Sequence, residues 1–211
     1  MKKILIITGI FPPDIGGPAT FVNDLFSYIN VRKDNVKVIT LQDKDKIKYR
    51  EENIIKIDRG KNKILRTLQL IYKIRKNSRD IDTILCCGLI FETYLSQIGL
   101  SNKKIYRFVS DSIWDKYQSK RYRSKFKIRK NSFFINLLII IRNEILKSFD
   151  LVITPSNFLK KFYLKNIDKG NIKIISNFTN LKIDNFSKSI DFTNFRSKKK
   201  INYITLSRLV K

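Results

Sequence analysis

Short runs of Ile and Val alternate with helix-length segments along most of this chain of 211 residues. In several runs the apolar residues stand at consecutive positions, as is typical of strands that are covered on both faces. A strand that is followed by a helix and another strand is the repeating unit of a parallel sheet. The order therefore predicts an α/β fold, an open parallel sheet with helices on both faces.

Seven segments are predicted as strands: Lys3–Thr8, Val36–Leu41, Asn53–Ile57, Thr83–Cys87, Lys104–Val109, Leu151–Thr154 and Ile172–Ser176. Five are predicted as helices: Ala19–Asn30, Lys63–Asn77, Phe91–Leu100, Ser132–Ser148 and Ser156–Asn166. The residues that recur at helical spacing in the second helix are Ile64, Leu68, Ile71 and Arg75, with Leu65 and Tyr72 beside them. This spacing predicts one apolar face and one basic face.

The organisation of the chain changes after Ser176. Residues 177–200 are polar and turn-rich, without a clear period, which indicates an interdomain linker. A strand pattern returns at residue 201, and a lone strand cannot bury its own surface. We therefore predict a first domain over residues 1–176, a linker over 177–200, and the first strand of a missing second domain over 201–211.

The chain carries 44 Lys and Arg against 18 Asp and Glu, a formal net charge of +26, and no His. The lack of His excludes mechanisms built on a Ser-His or Cys-His pair and any His-ligated zinc. Catalysis is left to carboxylates, backbone dipoles or the substrate. The positive charge is suited to binding phosphates or acidic lipids. We favour a general bias in amino-acid usage as its main source, because the chain uses Lys heavily and Ala only once.

Cys86 and Cys87 are adjacent within an apolar run. Neighbouring residues are poorly placed to join distant segments, so we predict two reduced strand residues of a cytoplasmic protein. The basic and apolar N-terminus resembles a signal peptide, but prolines and glycines follow where a cleavage site would lie. No apolar stretch reaches the roughly 18 residues of a membrane span. We expect a cytoplasmic protein, with peripheral attachment to the inner face of the plasma membrane as the alternative.

The segment from Thr8 to Thr20 reads T-G-I-F-P-P-D-I-G-G-P-A-T, follows a strand and opens a helix. Gly16 and Gly17 let the backbone approach an anion closely, and the N–H groups of the following helix point to the same place. The segment lacks the G-x-G-x-x-G spacing of a dinucleotide site and the Lys-Ser/Thr pair of a P-loop. Two interpretations remain, a cradle for phosphate or an acidic acceptor, and a plain turn between strand and helix.

A second polar segment, V-S-D-S-I-W-D from Val109 to Asp115, follows a predicted strand. Ligands of open α/β sheets bind at the carboxyl ends of the strands, so Asp111 and Asp115 lie where a general base or a sugar-hydroxyl acceptor is useful. For Asp111 the alternative is a helix N-cap. Trp114 either stacks on a sugar or closes the core.

Residues 116–130 contain eight basic residues and no acidic ones, with three aromatic residues interleaved. Three interpretations remain: a solvated loop, a segment that lies on an anionic membrane, and a segment that binds RNA through phosphate contacts and stacking. Nucleic acid is the least favoured partner, because no recognition fold is readable in the sequence.

Four segments resemble family 4 glycosyltransferases, in the order found there: F-P-P-D-I-G-G-P-A-T-F-V-N-D-L near the start, V-S-D-S-I-W-D-K-Y-Q in the middle, D-L-V-I-T-P-S-N-F-L-K-K-F at 150–162 and K-I-I-S-N at 173–177. The resemblance is to the N-terminal, acceptor-side domain and covers nearly the whole chain. The segment around Asp111 is similar to the branch with the pattern G-D-x-x-W-E. The ending Y-I-T-L-S-R-L-V-K resembles the start of the second domain.

The resemblance implies a GT-B architecture of two Rossmann-like domains. It implies transfer of a sugar from a nucleoside diphosphate donor, with retention at the anomeric carbon and without a metal or another cofactor. Gly16 and Gly17 match the glycine loop that lies against the donor diphosphate and the acceptor. Asp111 matches the catalytic aspartate near the acceptor hydroxyl, and Arg208 matches an arginine that holds the donor phosphates.

Two further positions match the family, Ser156 in its T-P-S motif and Asn177 at the end of the last strand of the domain. Ser156 precedes the apolar residues Phe158 and Leu159, so we also predict that it is the N-cap of the last helix. The sequence departs from the pattern at Ser110, which replaces a glycine, and at Asp115, which replaces a glutamate of the binding site. It departs again at Ser207, where the family has a glycine.

We therefore expect a retaining glycosyltransferase that moves a hexose to a surface glycan or a lipid-linked acceptor, and we expect these 211 residues alone to be inactive. The implied partners are the nucleotide-sugar donor, the acceptor, an anionic membrane surface and a separately encoded donor domain. The first alternative is a non-catalytic module that binds the acceptor or a membrane beside a separate donor domain. The second is a basic nucleic-acid-binding protein.

Overall fold

Parallel strands form the centre of the structure, a computed structural model that describes residues 2–32, 34–43, 52–110, 133–167 and 171–177. The strands are β1 (Lys3–Thr8), β2 (Asn35–Gln42), β3 (Ile54–Asp58), β4 (Thr83–Cys86), β5 (Lys103–Arg107), β6 (Leu151–Thr154) and β7 (Ile172–Ile174). The helices are α1 (Gly17–Val31), α2 (Lys63–Ser78), α3 (Ile90–Ser96), α4 (Phe133–Lys147) and α5 (Asn157–Asn166). The described strands form one sheet in the order β3-β2-β1-β4-β5-β6-β7, and every neighbouring pair is parallel.

Strand β1 lies inside the sheet and is buried on both sides. Leu5, Ile6 and Ile7 have no exposed surface, and successive side chains of a strand point to opposite faces. Ile6 packs in one core with Val22 of α1, while Leu5 and Ile7 pack in a second core with Leu70 of α2. The consecutive apolar residues of the sequence are therefore explained by helices on both faces, as predicted.

The far half of the sheet is covered by the last two helices. Leu146, near the end of α4, and Tyr163 of α5 pack with Phe108 and Val152 on the face that α2 also covers. All of the described residues belong to one compact unit. None of the described helices combines the length and the apolar character that a membrane span requires.

The predicted elements are all present, with ends that differ by a few residues. The largest difference is at α3, which ends at Ser96 where the sequence predicted a helix to Leu100. Gly99 adopts a φ of 77°, a left-handed conformation that a helix does not contain. The predicted domain boundary after Ser176 stays a prediction, because the described residues end at Asn177.

The predicted apolar face of α2 is not the face that packs on the sheet. The fully buried residues of the helix are Leu70, Ile74 and Ser78, whereas Leu68 and Tyr72 are more than half exposed. At 3.6 residues per turn these two groups lie on roughly opposite sides of the helix. The helix carries apolar residues on both sides, so periodicity alone selected the wrong one.

Candidate functional site

The sheet has a topological switch point between β1 and β4. From β1 the chain continues to β2 and β3 on one side, and it then crosses to β4 and continues in the other direction. Open α/β sheets bind ligands at the carboxyl ends of the strands that flank such a point. The loops that follow β1 and β4 lie close together there. A Cβ atom added at Gly88 would lie only 3.1 Å from the backbone nitrogen of Gly9.

The glycine-containing loop joins the end of β1 to the start of α1. The helix begins at Gly17, its N-cap Gly16 offers no capping side chain, and its first turn holds no acidic residue. The first N–H groups of a helix have no partner within the helix, and the helix dipole makes this end positive. A Cβ atom at Gly17 would meet no atom within 4 Å, so the space beside this backbone is open.

Arg59, just after β3, holds this loop in place. Its guanidinium binds the carboxylate of Asp14, donates to Asp43 at 3.1 Å, and donates to the carbonyl of Leu41 at 3.1 Å. The hydrogen bond to Asp14 raises the pKa of Arg59, and burial opposes it. The carboxylate of Asp14 therefore binds Arg59, and we assign it no role in binding a ligand.

A second arginine, Arg107 at the end of β5, is buried, with 5% of its surface exposed. Its guanidinium carbon lies 3.7 Å from the ring centre of Phe21 in α1, a cation–π contact. Its Nη2 atom donates to the Oδ1 atom of Asn177 at 2.6 Å. Within the described residues its Nη1 atom has no hydrogen-bond partner. Burial lowers the pKa of Arg107, and a guanidinium still remains protonated.

Arg107 lines a cleft of about 540 Å³ at the switch point. Pro18 of α1 forms another part of the lining, with residues 87–92, Val109 and Ser110. Leu89 has a φ of 56°, in the left-handed region that residues other than glycine seldom adopt. The volume is that of an ordinary small-molecule site. A partly compensated buried cation, an open glycine backbone and a helix N-terminus together suit an anionic ligand.

Two of the predicted site residues are neighbours in sequence of a residue that lines this cleft. Gly16 and Gly17 directly precede Pro18, and neither glycine is itself part of the lining. Three predicted residues lie outside the described part of the chain: Asp111, Asp115 and Arg208. The basic segment 116–130 also lies outside it. Their roles, and the ligand roles of the two glycines, stay predictions.

Arg107 was not among the site residues predicted from the sequence. The sequence indicates a special role for this residue only through its position as a single cation in the apolar strand sequence I-Y-R-F-V. A basic residue at such a position is equally typical of the end of a strand. Asn177, matched to the family only as the end of a strand, is the hydrogen-bond partner of Arg107. Ser156 is confirmed as an N-cap, since its hydroxyl accepts from the N–H of Leu159 at 3.3 Å.

Both cysteines are buried and free, as predicted for strand residues. Burial raises the pKa of Cys86 to about 11 and that of Cys87 to about 12. Neither thiol is therefore a nucleophile at neutral pH. Within the described ranges, no three His, Cys, Asp or Glu side chains are grouped so that they could hold a metal ion.

Comparisons with known proteins identify the fold. No protein-family model matches the sequence. No curated protein matches it at a significant level. An α-glucosyltransferase solved with UDP and a 13-mer DNA containing an HMU base has 12% identity and a TM-score of 0.51, over 84% of this chain and 42% of that chain. An α-glucosyltransferase solved with UDP has 10% identity and a TM-score of 0.51, over 83% of this chain and 43% of that chain.

At such low identity this likeness shows the fold alone. The chain has the Rossmann-like α/β fold of a GT-B glycosyltransferase domain and spans about two-fifths of the length of these structures. The predicted fold class is therefore confirmed. Membership of family 4 in particular stays a prediction.

The buried thiols predict how stability depends on alkaline pH. An unfolded Cys titrates near pH 8.5, and both folded pKa values are higher, so the stabilisation is complete below about pH 8.5 and is lost as the pH rises towards the folded values. We expect the free energy of unfolding to fall more steeply between about pH 9 and pH 11 in the wild type than in a Cys86→Ala, Cys87→Ala variant. Urea unfolding at each pH measures both slopes, and equal slopes would contradict the burial of the thiols.

The position of the glycine loop is predicted to depend on the ion pair of Arg59 and Asp14. In a double-mutant cycle with Arg59→Met and Asp14→Asn, urea unfolding is expected to give a coupling energy of about 1 kcal/mol, because Asp14 is nearly buried. The exposed pair of Lys147 and Glu144 is the control, with an expected coupling of about 0.3 kcal/mol. Equal couplings would show that Arg59 does not hold the loop.

Proposed function

We propose that this chain is the acceptor-side domain of a retaining, nucleotide-sugar-dependent glycosyltransferase, which transfers a hexose to a surface glycan or a lipid-linked acceptor. The GT-B fold is the starting point. The observation that carries the proposal is the buried Arg107, which lines the cleft and whose Nη1 atom has no hydrogen-bond partner within the described residues. A buried cation without a counterion is costly unless a ligand supplies the anion.

The reaction in this proposal places negative charge beside these groups. The bond between the anomeric carbon and the donor diphosphate breaks, and a bond from the acceptor oxygen forms on the same face of the sugar. Groups that are already positioned where charge develops stabilise such a transition state most. Arg107 and the N-terminus of α1 supply positive potential at one end of the cleft. Asp111 is our candidate for the residue that binds the acceptor hydroxyl, and Arg208 is our candidate for the residue that binds the donor phosphates.

A complete site needs a donor-binding half. The two α-glucosyltransferase structures are more than twice as long as the part that this chain matches. We propose that the donor-binding half lies in a longer form of the chain or in a separately encoded domain, and that the 211 residues alone do not turn over donor. The alternative is that the chain is a non-catalytic module that binds the acceptor. In that case Asp111 has no role in sugar transfer.

DNA is a second candidate acceptor, on two observations. One of the similar structures contains DNA beside UDP, and this chain has a net charge of +26. Positive charge promotes binding to any polyanion, so the charge supports DNA no more than it supports an anionic membrane or glycan. Transfer assays with a lipid-linked glycan and with duplex DNA as acceptors separate the candidates directly.

Binding of the donor anion tests the site without catalysis. In calorimetric titrations with UDP-glucose of a chain completed with the donor-binding half, Arg107→Met is expected to weaken binding about tenfold or more, since a charged hydrogen bond is lost. Arg32→Met, an exposed arginine at the end of α1, is the control and should bind as the wild type does. Thermal melting checks that both variants are folded. Equal affinities for the wild type and Arg107→Met would remove Arg107 from the site.

Transfer activity tests the assignment of Asp111 and Gly17. In a chain completed with the donor-binding half, Asp111→Asn is expected to abolish most transfer, and Gly17→Val is expected to fill the open space beside the loop and weaken donor binding. Product formation from radiolabelled UDP-glucose measures both effects. Full activity in both variants would refute the site, and sugar transfer by the 211 residues alone would refute the need for a second half.

A further inference from the structure

The outward side of α2 carries an apolar stripe that the fold leaves exposed. Its side chains are 58% to 70% exposed, and they are Ile64, Leu65, Leu68 and Tyr72. They recur one turn apart along one side of the helix, while Leu70 and Ile74 pack on the sheet from the other side. Single exposed apolar residues are ordinary, but a contiguous stripe of four on one helix indicates an interaction surface.

The charged residues of α2 itself have one sign only. Between residues 60 and 79 the sequence contains no acidic residue and seven basic ones: Lys61, Lys63, Arg66, Lys73, Arg75, Lys76 and Arg79. Helical spacing places Arg75, Lys76 and Arg79 on the same side as the apolar residues. The stripe is therefore bordered by cations at the C-terminal end of the helix.

A small cavity of about 180 Å³ lies where the stripe meets the cations. Tyr72, Arg75, Lys76 and Arg79 line it. Arg75 is held there, because its Nη1 atom donates to the carbonyl of Ser96 at 3.1 Å and to that of Ile98 at 2.8 Å. A fixed guanidinium beside two further cations and an aromatic ring is well suited to a phosphate group.

We propose that this surface, formed by Ile64, Leu65, Leu68, Tyr72, Arg75, Lys76 and Arg79 and named the α2 surface, docks on an anionic phospholipid bilayer. The apolar side chains enter the boundary between headgroups and acyl chains, while the cations contact lipid phosphates. A helix with an apolar side and a Lys- and Arg-rich border binds in the plane of an interface in this way. The docking site is distinct from the cleft and does not depend on the proposed transferase activity.

Charge favours a bilayer over a second copy of the chain. Two copies that met through the α2 surface would bring two sets of basic residues together, without an acidic residue between positions 60 and 79 to pair with them. Such like-charge contacts oppose association. An anionic bilayer instead offers a flat apolar layer under a dense layer of phosphate, which matches both parts of the surface.

Vesicle co-sedimentation tests the proposal with the 211-residue chain. We expect binding to vesicles of phosphatidylcholine with phosphatidylglycerol, weaker binding at high salt, and little binding to phosphatidylcholine alone. Leu65→Ser, Leu68→Ser is expected to lower vesicle affinity at least tenfold, because two apolar side chains no longer enter the interface. Val31→Ser, Phe158→Ser is the matched control, since both residues are at least 75% exposed and lie on other helices.

The charged part of the surface is tested separately. Lys76→Gln, Arg79→Gln is expected to lower affinity for the anionic vesicles by about fivefold per residue. Lys2→Gln, Lys161→Gln removes the same charge from two exposed positions elsewhere and should have a smaller effect. The segment 116–130 is unchanged in all four variants, so its contribution cancels in the comparison.

Three results would overturn the proposal. If the serine variant of α2 binds vesicles as its control does, the attraction is electrostatic only and the apolar stripe is not a docking surface. If that variant instead lowers the molar mass measured by light scattering, the stripe is an interface between copies. If duplex DNA displaces the vesicles and only the charge variants weaken DNA binding, the partner is nucleic acid. None of these readouts uses sugar transfer, so the proposed function stands or falls independently.

Discussion

Burial of β1 on both faces is the constraint on which the rest of the structure depends. Leu5, Ile6 and Ile7 are all fully buried, so helices must cover the sheet from above and below. Parallel pairing requires each strand to return to the same starting edge, and a helix makes that return. The carboxyl ends of all strands consequently meet at one edge, and the switch point between β1 and β4 creates a cleft there. The location of the site follows from packing before any site residue is considered.

Two arginines at the carboxyl edge of the sheet have opposite tasks. Arg59 is compensated by Asp14 and Asp43, and it holds the loop before α1 against the edge of the sheet. Arg107 is buried, and Phe21 and Asn177 compensate its charge only in part. An ion pair that fixes a loop leaves no charge for a ligand, whereas a partly compensated cation does. This difference assigns a structural role to Arg59 and a ligand role to Arg107 in our proposal.

Prediction from the sequence succeeded where the signal was local. The strands were predictable because runs such as Lys3–Thr8 are rich in β-branched residues, and the N-cap role of Ser156 followed from the few residues after it. The prediction failed for the side of α2 that packs on the sheet, because Leu68 and Leu70 are equally apolar and only the position of the sheet separates them. Because both sides of the helix are apolar, packing of one side on the sheet leaves the α2 surface exposed.

The sequence by itself determined the α/β fold class, the parallel sheet, the position of the glycine loop between β1 and α1, and the burial of both cysteines. These properties depend on residue type and on spacing within about 20 positions. Tertiary structure alone decided that Arg107 is buried without a full set of partners, because Asn177 lies 70 positions away along the chain. It also decided which side of α2 faces solvent. Both outcomes depend on contacts between segments that are distant in sequence, and such contacts exist only after the sheet has brought those segments together.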